Sequence, residues 1–300
     1  MVCRPARFTL EHARKLTTRE HELISFSRLE NPLVKKKKIR PYDTIMMMGK
    51  KVVVAGATGS VGRLVVQTCL NDSRIEAVTA LVRKQKSTED AEKLWGASSS
   101  SSSSSKLTQI EVDFSSLDTN NESLKSAFQG MNAFITGLGL YSGKSTEPEM
   151  DKVEREYNTI LANIAHEAGA TRGAYLSGQG VKQPTKEGKA YAMFGRVKGR
   201  AEESLANIFN GQSECHVSVR PGAIFDRPGE PVYGAMESFM GKWPLSKLRD
   251  TKFGITAIDI AKGMVHGSLF DDTVEGNVIW ENEDIKKAAR RYEENLNSSN

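Results

Sequence analysis

Cysteine is scarce in this chain of 300 residues: Cys3, Cys69 and Cys215 are all there is, and no CxxC pair occurs. That excludes a disulfide scaffold and a zinc module, and it fits a reducing compartment. Long apolar runs are missing too. None approaches the roughly 20 residues of a membrane helix, so no membrane span is expected. There is no glycine period of the collagen kind and no sustained heptad pattern. With 38% hydrophobic and 26% charged residues, the composition is that of a globular protein with a sizeable core.

The formal charge of +5 suggests nucleic acid as a partner, but its distribution argues otherwise. Residues 1–49 hold eleven Lys or Arg and five Asp or Glu, so residues 50–300 come to −1. The basic character belongs to an N-terminal extension that includes Lys35-Lys36-Lys37-Lys38. Its five acids weigh against a mitochondrial transit peptide, and it has no secretory apolar segment. A solvated, disordered basic arm and a cytoplasmic location are the expectations. Met46-Met47-Met48 also allows an internal start. Nucleic-acid binding is not expected.

From residue 50 strand and helix patterns alternate. Strands are predicted at residues 52–55, 77–82, 107–112, 133–136, 174–177, 217–219 and 277–280. Helices are predicted at 61–70, 90–95, 117–128, 150–168, 192–209, 258–269 and 283–296. In the long helix Val153, Tyr157, Ile160, Leu161, Ile164 and Ala165 recur at helical spacing. This alternation predicts an α/β fold, a Rossmann-type doubly wound parallel sheet in one domain over residues 50–300. Eight consecutive serines, Ser98 to Ser105, read as a flexible loop insertion within it.

The most specific motif is Gly56-Ala57-Thr58-Gly59-Ser60-Val61-Gly62-Arg63, directly after the first strand and opening the first helix. Gly56 permits the sharp turn, Gly59 lets the backbone approach a pyrophosphate, and Gly62 lets the helix pack on the sheet. The helix N-terminus adds donors and a positive dipole end. In this strand–turn–helix context the motif predicts a dinucleotide site including Thr58, Ser60 and Val61.

The second strand ends in Val82-Arg83-Lys84. An NAD-specific fold places an acid there to bond the ribose 2′-hydroxyl. Arg83 and Lys84, with Arg63 near the helix start, favour a 2′-phosphate instead, so NADP(H) is the expected cofactor. Asp113 and Phe114 after the third strand can receive the adenine. Gly137 after the fourth lets the backbone lie close to the cofactor.

On these residues the chain resembles the atypical short-chain dehydrogenases/reductases, and within them the HIV Tat-interacting protein oxidoreductases. Further landmarks are Leu81-Val82-Arg83, Leu176-Ser177, Val197-Lys198-Gly199 and Val219-Arg220-Pro221-Gly222. The resemblance spans roughly residues 50–290 and implies NADPH binding and a Ser, Tyr and Lys redox site. In such a site Tyr moves the proton, Lys lowers its pKa and holds the ribose, and Ser bonds the reacting oxygen. Ser177 and Lys198 match. The Tyr position, four residues before Lys198, is Phe194.

Tyr191 lies seven residues before Lys198, about 10 Å along a helix, and substitutes only if the preceding loop folds back. The reading is therefore an NADP(H)-binding oxidoreductase for a small carbonyl or quinone, weakened as a catalyst by Phe194. A non-catalytic NADPH-binding regulatory protein with a protein partner is the alternative. His166 and His216 are expected in structural roles, with no carboxylate partner at readable spacing.

Overall fold

Buried valine starts the sheet. In β1 (Lys50–Ala55) the side chains of Val52 and Val54 pack into one apolar cluster, and those of Val53 and Ala55 pack into another. Successive strand residues point to opposite faces, so a strand apolar on both must lie inside a three-layer fold. The computed structural model describes residues 49–97, 105–140, 145–181, 193–229, 249 and 251–299. The expected basic extension, apart from Gly49, the serine run except Ser105, and Tyr191 lie outside these residues.

The elements that follow are α1 (Gly62–Leu70), β2 (Ile75–Val82), α2 (Thr88–Trp95), β3 (Leu107–Glu111), α3 (Glu122–Ala127) and β4 (Ala133–Thr136). After them come α4 (Glu147–Asp151), a π-helical segment (Lys152–Tyr157), α5 (Asn158–Glu167), β5 (Arg172–Leu176), α6 (Met193–Ile208) and β6 (Cys215–Arg220). The short strands β7 (Ala223–Phe225) and β8 (Gly254–Thr256) precede α7 (Ala257–Leu269), β9 (Gly276–Glu281) and α8 (Asn282–Ser299).

Seven strands form a parallel sheet in the order β3-β2-β1-β4-β5-β6-β9. The order reverses between β1 and β4, where Val53 stands opposite Phe134. A ligand crevice is expected at that switch point, beyond the carboxyl ends of the strands. The predicted doubly wound sheet is the fold observed. One core cluster lies under α1 and α7, the other under α5 and α6.

Four features differ from the sequence expectations. The helix predicted from Met150 begins at Glu147, where Thr146 and Glu149 form a capping box around Pro148. Its middle is a π turn, which apolar spacing does not reveal. Strands β7 and β8 pair with each other in parallel, and at three residues each they show no period. His166 does have a carboxylate partner: its Nε2 lies 2.8 Å from Glu214 Oε1, 48 residues away in sequence and brought close by the fold.

Candidate functional site

Gly56 leaves β1 with φ +70°, a backbone that L side chains rarely adopt. A Cβ there would also lie 2.6 Å from the carbonyl carbon of Gly137, so the loops after β1 and β4 touch backbone to backbone. A Cβ at Gly62 would run into the Gly56 carbonyl oxygen. The amide of Gly59 donates to that oxygen at 2.9 Å, and Arg63 N donates to Gly59 O, also at 2.9 Å. Trp95, buried at the end of α2, donates its indole N–H to Ala57 O at 2.9 Å and pins the loop from behind.

In front of this loop a cleft runs along the strand ends. Its first half, a cavity of about 390 Å³, is lined by Gly56, Thr58, Gly59, Arg83, Phe114, Gly137 and Tyr157, among others. Phe114 and Tyr157 meet there with ring centroids 5.2 Å apart. Lys84 and Asp113 are not brought into it. The Asp113 carboxylate instead accepts from Ser115 N at 2.9 Å, Ser115 Oγ at 2.6 Å and Ser116 Oγ at 2.8 Å. Those bonds, the side-chain bond from Ser115 first, hold its pKa below the usual carboxylate value. Arg63 does not line the cleft either; its guanidinium donates to Thr58 O at 3.3 Å.

The second half, about 450 Å³, shares Gly137, Gly139 and Leu140 with the first, so the two are one cleft. Ser60, Val61, Ser177, Gly178, Gln179, Phe194, Lys198, Pro221 and Arg227 are among its lining residues. Ser177 is held by its backbone, with N donating to Val219 O at 2.8 Å. Its hydroxyl is buried and has no hydrogen-bond partner. A buried, unsatisfied hydroxyl is costly, and a ligand oxygen in this cavity would relieve it.

Phe194 opens α6 and rests on Gly178, where a Cβ would lie 2.5 Å from its ring. Glu147 and Asp151 of α4 bind Arg196 and Arg200, which fixes α6 beside the cleft. Lys198 lies one turn beyond Phe194. Its Nζ donates to Glu154 Oε2 at 2.8 Å, Leu176 O at 3.0 Å and the Tyr175 hydroxyl at 3.2 Å. An ammonium has three protons, and all three are committed. Lys198 therefore serves no phenol at position 194, contrary to the triad pattern.

Tyr175 donates to Glu154 Oε2 at 2.8 Å. Full burial, reinforced by Glu154, pushes its pKa well above that of an ordinary phenol. Glu154 Oε1 accepts from Leu140 N at 3.2 Å, which ties the loop after β4 to the same cluster.

The π segment sets this arrangement. It carries Glu154 into the second half of the cleft and Val153 and Tyr157 into the first. Sequence reasoning missed Glu154, Tyr175 and Trp95 and took Tyr157 only for helix core. A usable signal was present: Glu154, Asn158, Leu161 and Ala165 share one helical face, so two polar side chains sit on an apolar stripe. Among the described residues no cluster of His, Cys, Asp and Glu is fit to hold a metal.

The residues present fit a dinucleotide. A close glycine cradle meets the N-terminus of α1, an arginine and an aromatic pair line one half of the cleft, and an orphaned hydroxyl lies in the other.

Comparison with known proteins agrees with this geometry. The NAD(P)H-binding family matches the chain over residues 56–266. Protein HTATIP2 of Rattus norvegicus is 24% identical over 230 residues, covering 75% of this chain and 83% of that protein. The structure of the oxidoreductase ylbE from Lactococcus lactis superposes with a TM-score of 0.52 at 19% identity, over 81% of this chain and 97% of that one. A UDP-glucose-4-epimerase from Stenotrophomonas maltophila with bound NAD gives 0.56 at 15% identity, over 77% and 78%. These two likenesses show the fold alone.

Proposed function

This chain belongs to the NAD(P)H-binding family, and on that premise we propose that it is an NADP(H)-dependent oxidoreductase of the atypical short-chain dehydrogenase/reductase type, acting on a small carbonyl or quinone. The observation that carries the reading is the two-part cleft, with Arg83 lining one half and the unpartnered Ser177 hydroxyl in the other. The loop Gly56 to Gly62 would hold the pyrophosphate at the N-terminus of α1, and Phe114 and Tyr157 would flank the adenine. Arg83 would pair with a 2′-phosphate, where NAD enzymes carry an acid. When bound, the cofactor supplies a hydride in the second half of the cleft. Ser177 donates a hydrogen bond to the oxygen of the acceptor. Lys198, Glu154 and Tyr175 keep the wall rigid and the loop after β4 in place.

A second reading, a non-catalytic NADPH-binding regulatory protein that works through a protein partner, is favoured by Phe194. Fluorescence titration with NADPH and NADH tests the first step of both readings. NADPH should bind at least about tenfold more tightly, a difference of ~1.4 kcal/mol. Equal binding removes the role given to Arg83. Turnover with an acceptor then separates the enzyme from the regulator.

A further inference from the structure

The cleft holds no placed acid among its described residues, and that restricts what it can reduce. Phe194 has no exchangeable proton. The three protons of Lys198 are committed to Glu154, Tyr175 and Leu176. Glu154 accepts from three donors, Lys198, Tyr175 and Leu140 N. Tyr175 is 0% exposed and does not line the cavity. Arg227 keeps its protons at any working pH. Ser177 and Gln179 remain, and these can bond an oxyanion but not protonate it.

Reduction of a simple ketone leaves an alkoxide about as basic as hydroxide. Such an oxygen needs its proton delivered as the bond forms. Reduction of a quinone leaves a phenolate-type oxygen, with a conjugate acid of pKa about 10, which water protonates without help. The walls suit an apolar ring as well. Val61, Leu140, Leu176, Pro221 and Ile224 are apolar, and the Phe194 ring offers an aromatic surface beside Gly178.

Resting on the oxidoreductase reading above, we infer that the acceptor is a planar conjugated dicarbonyl of the quinone class. The quinone gains two electrons and one hydrogen as hydride, and the nicotinamide is oxidised by the same two electrons. The hydroquinone monoanion, its oxygen bonded by Ser177, then takes its proton from water. The products are hydroquinone and the oxidised cofactor.

The test compares 1,4-naphthoquinone with 1-tetralone, an acceptor on a similar bicyclic frame, with the uncatalysed rate subtracted. NADPH affinity is followed separately by fluorescence. An acid contributes about 10²–10⁴-fold, so the wild-type chain should favour the quinone by at least about 10²-fold in kcat/KM. Its rate on the quinone should be flat between about pH 6 and 8, since no essential acid titrates. Phe194→Tyr should raise tetralone turnover and so narrow the ratio between the two acceptors. Tyr191→Phe should leave the quinone rate unchanged.

Equal rates on the two acceptors, or no reduction of the quinone by NADPH-loaded protein, overturn the inference. A quinone rate abolished by Tyr191→Phe overturns it too, because the chain would then own an acid. Failure to bind NADPH at all overturns the oxidoreductase reading itself, and so is told apart from these results. Should Phe194→Tyr not fold, the wild-type rate ratio and pH profile decide alone.

Discussion

Glu154 and Lys198 form an ion pair inside the protein, with Lys198 Nζ 2.8 Å from Glu154 Oε2 and the side chains only 1% and 9% exposed. One comes from the π turn, the other from α6. Removing one partner of a buried pair strands the other, at a cost of about 3–5 kcal/mol. Glu154→Gln and Lys198→Met should each lower the unfolding free energy measured in urea by that order. The double change Glu154→Leu with Lys198→Met leaves no buried charge and should recover much of the loss. A double variant as unstable as the sum of the two would show that the pair is not the interaction being measured.

Trp95 holds the glycine loop through Ala57 O, to which its indole N–H donates. Trp95→Phe leaves this oxygen unsatisfied, at a cost of about 1–3 kcal/mol. Stability should fall by that order and NADPH affinity by about tenfold, as the loop loses its backing. Unchanged affinity in thermal-shift and fluorescence titrations would separate the indole from cofactor binding.

Arg83 is exposed and lines the first half of the cleft. A charge-assisted bond to a 2′-phosphate contributes about 1.5–3 kcal/mol. Arg83→Asp should therefore weaken NADPH about ten- to a hundredfold and leave NADH close to its wild-type affinity. An equal loss for both cofactors would place Arg83 elsewhere in binding.

His216 is buried in β6 with its Nε2 unpartnered, and burial pulls its pKa down from 6.5 to about 3. Between these values the unfolded chain binds a proton that the folded one refuses. The stabilisation is complete above pH 6.5 and drains away as pH falls, by about 1.4 kcal/mol per pH unit. His266 is shifted in the same direction by burial. The depressed carboxylates Asp72, Asp113, Glu147, Glu149 and Asp151 matter only near and below their usual values of 3.8 and 4.5. Chemical denaturation at pH 7.5 and 5 should thus show a loss of about 2 kcal/mol from His216, and His216→Leu should shrink it. An unchanged slope in that variant would assign the effect to another group.

The glycine motif between strand and helix was legible because backbone sterics demand it. Gly56 takes a positive φ and Gly62 lies against the Gly56 carbonyl, so local chemistry announces the loop. The parallel sheet was legible because strands such as β1 are apolar on both faces. Arg83 and Phe114 were reached by counting along strands to their carboxyl ends, and Ser177 through the family resemblance; all three line the cleft.

What the sequence by itself determined is the alternation, the glycine loop and the absence of a phenol at position 194. Tertiary structure alone decided what surrounds that gap. Glu154 reaches Lys198 across 44 residues, Trp95 reaches Ala57 across 38, and His166 meets Glu214 across 48. No local period carries such contacts, because they depend on how helices settle on the sheet. The π turn that aims Glu154 inward comes from the same packing, since its one-residue change of register leaves the apolar spacing nearly as it was.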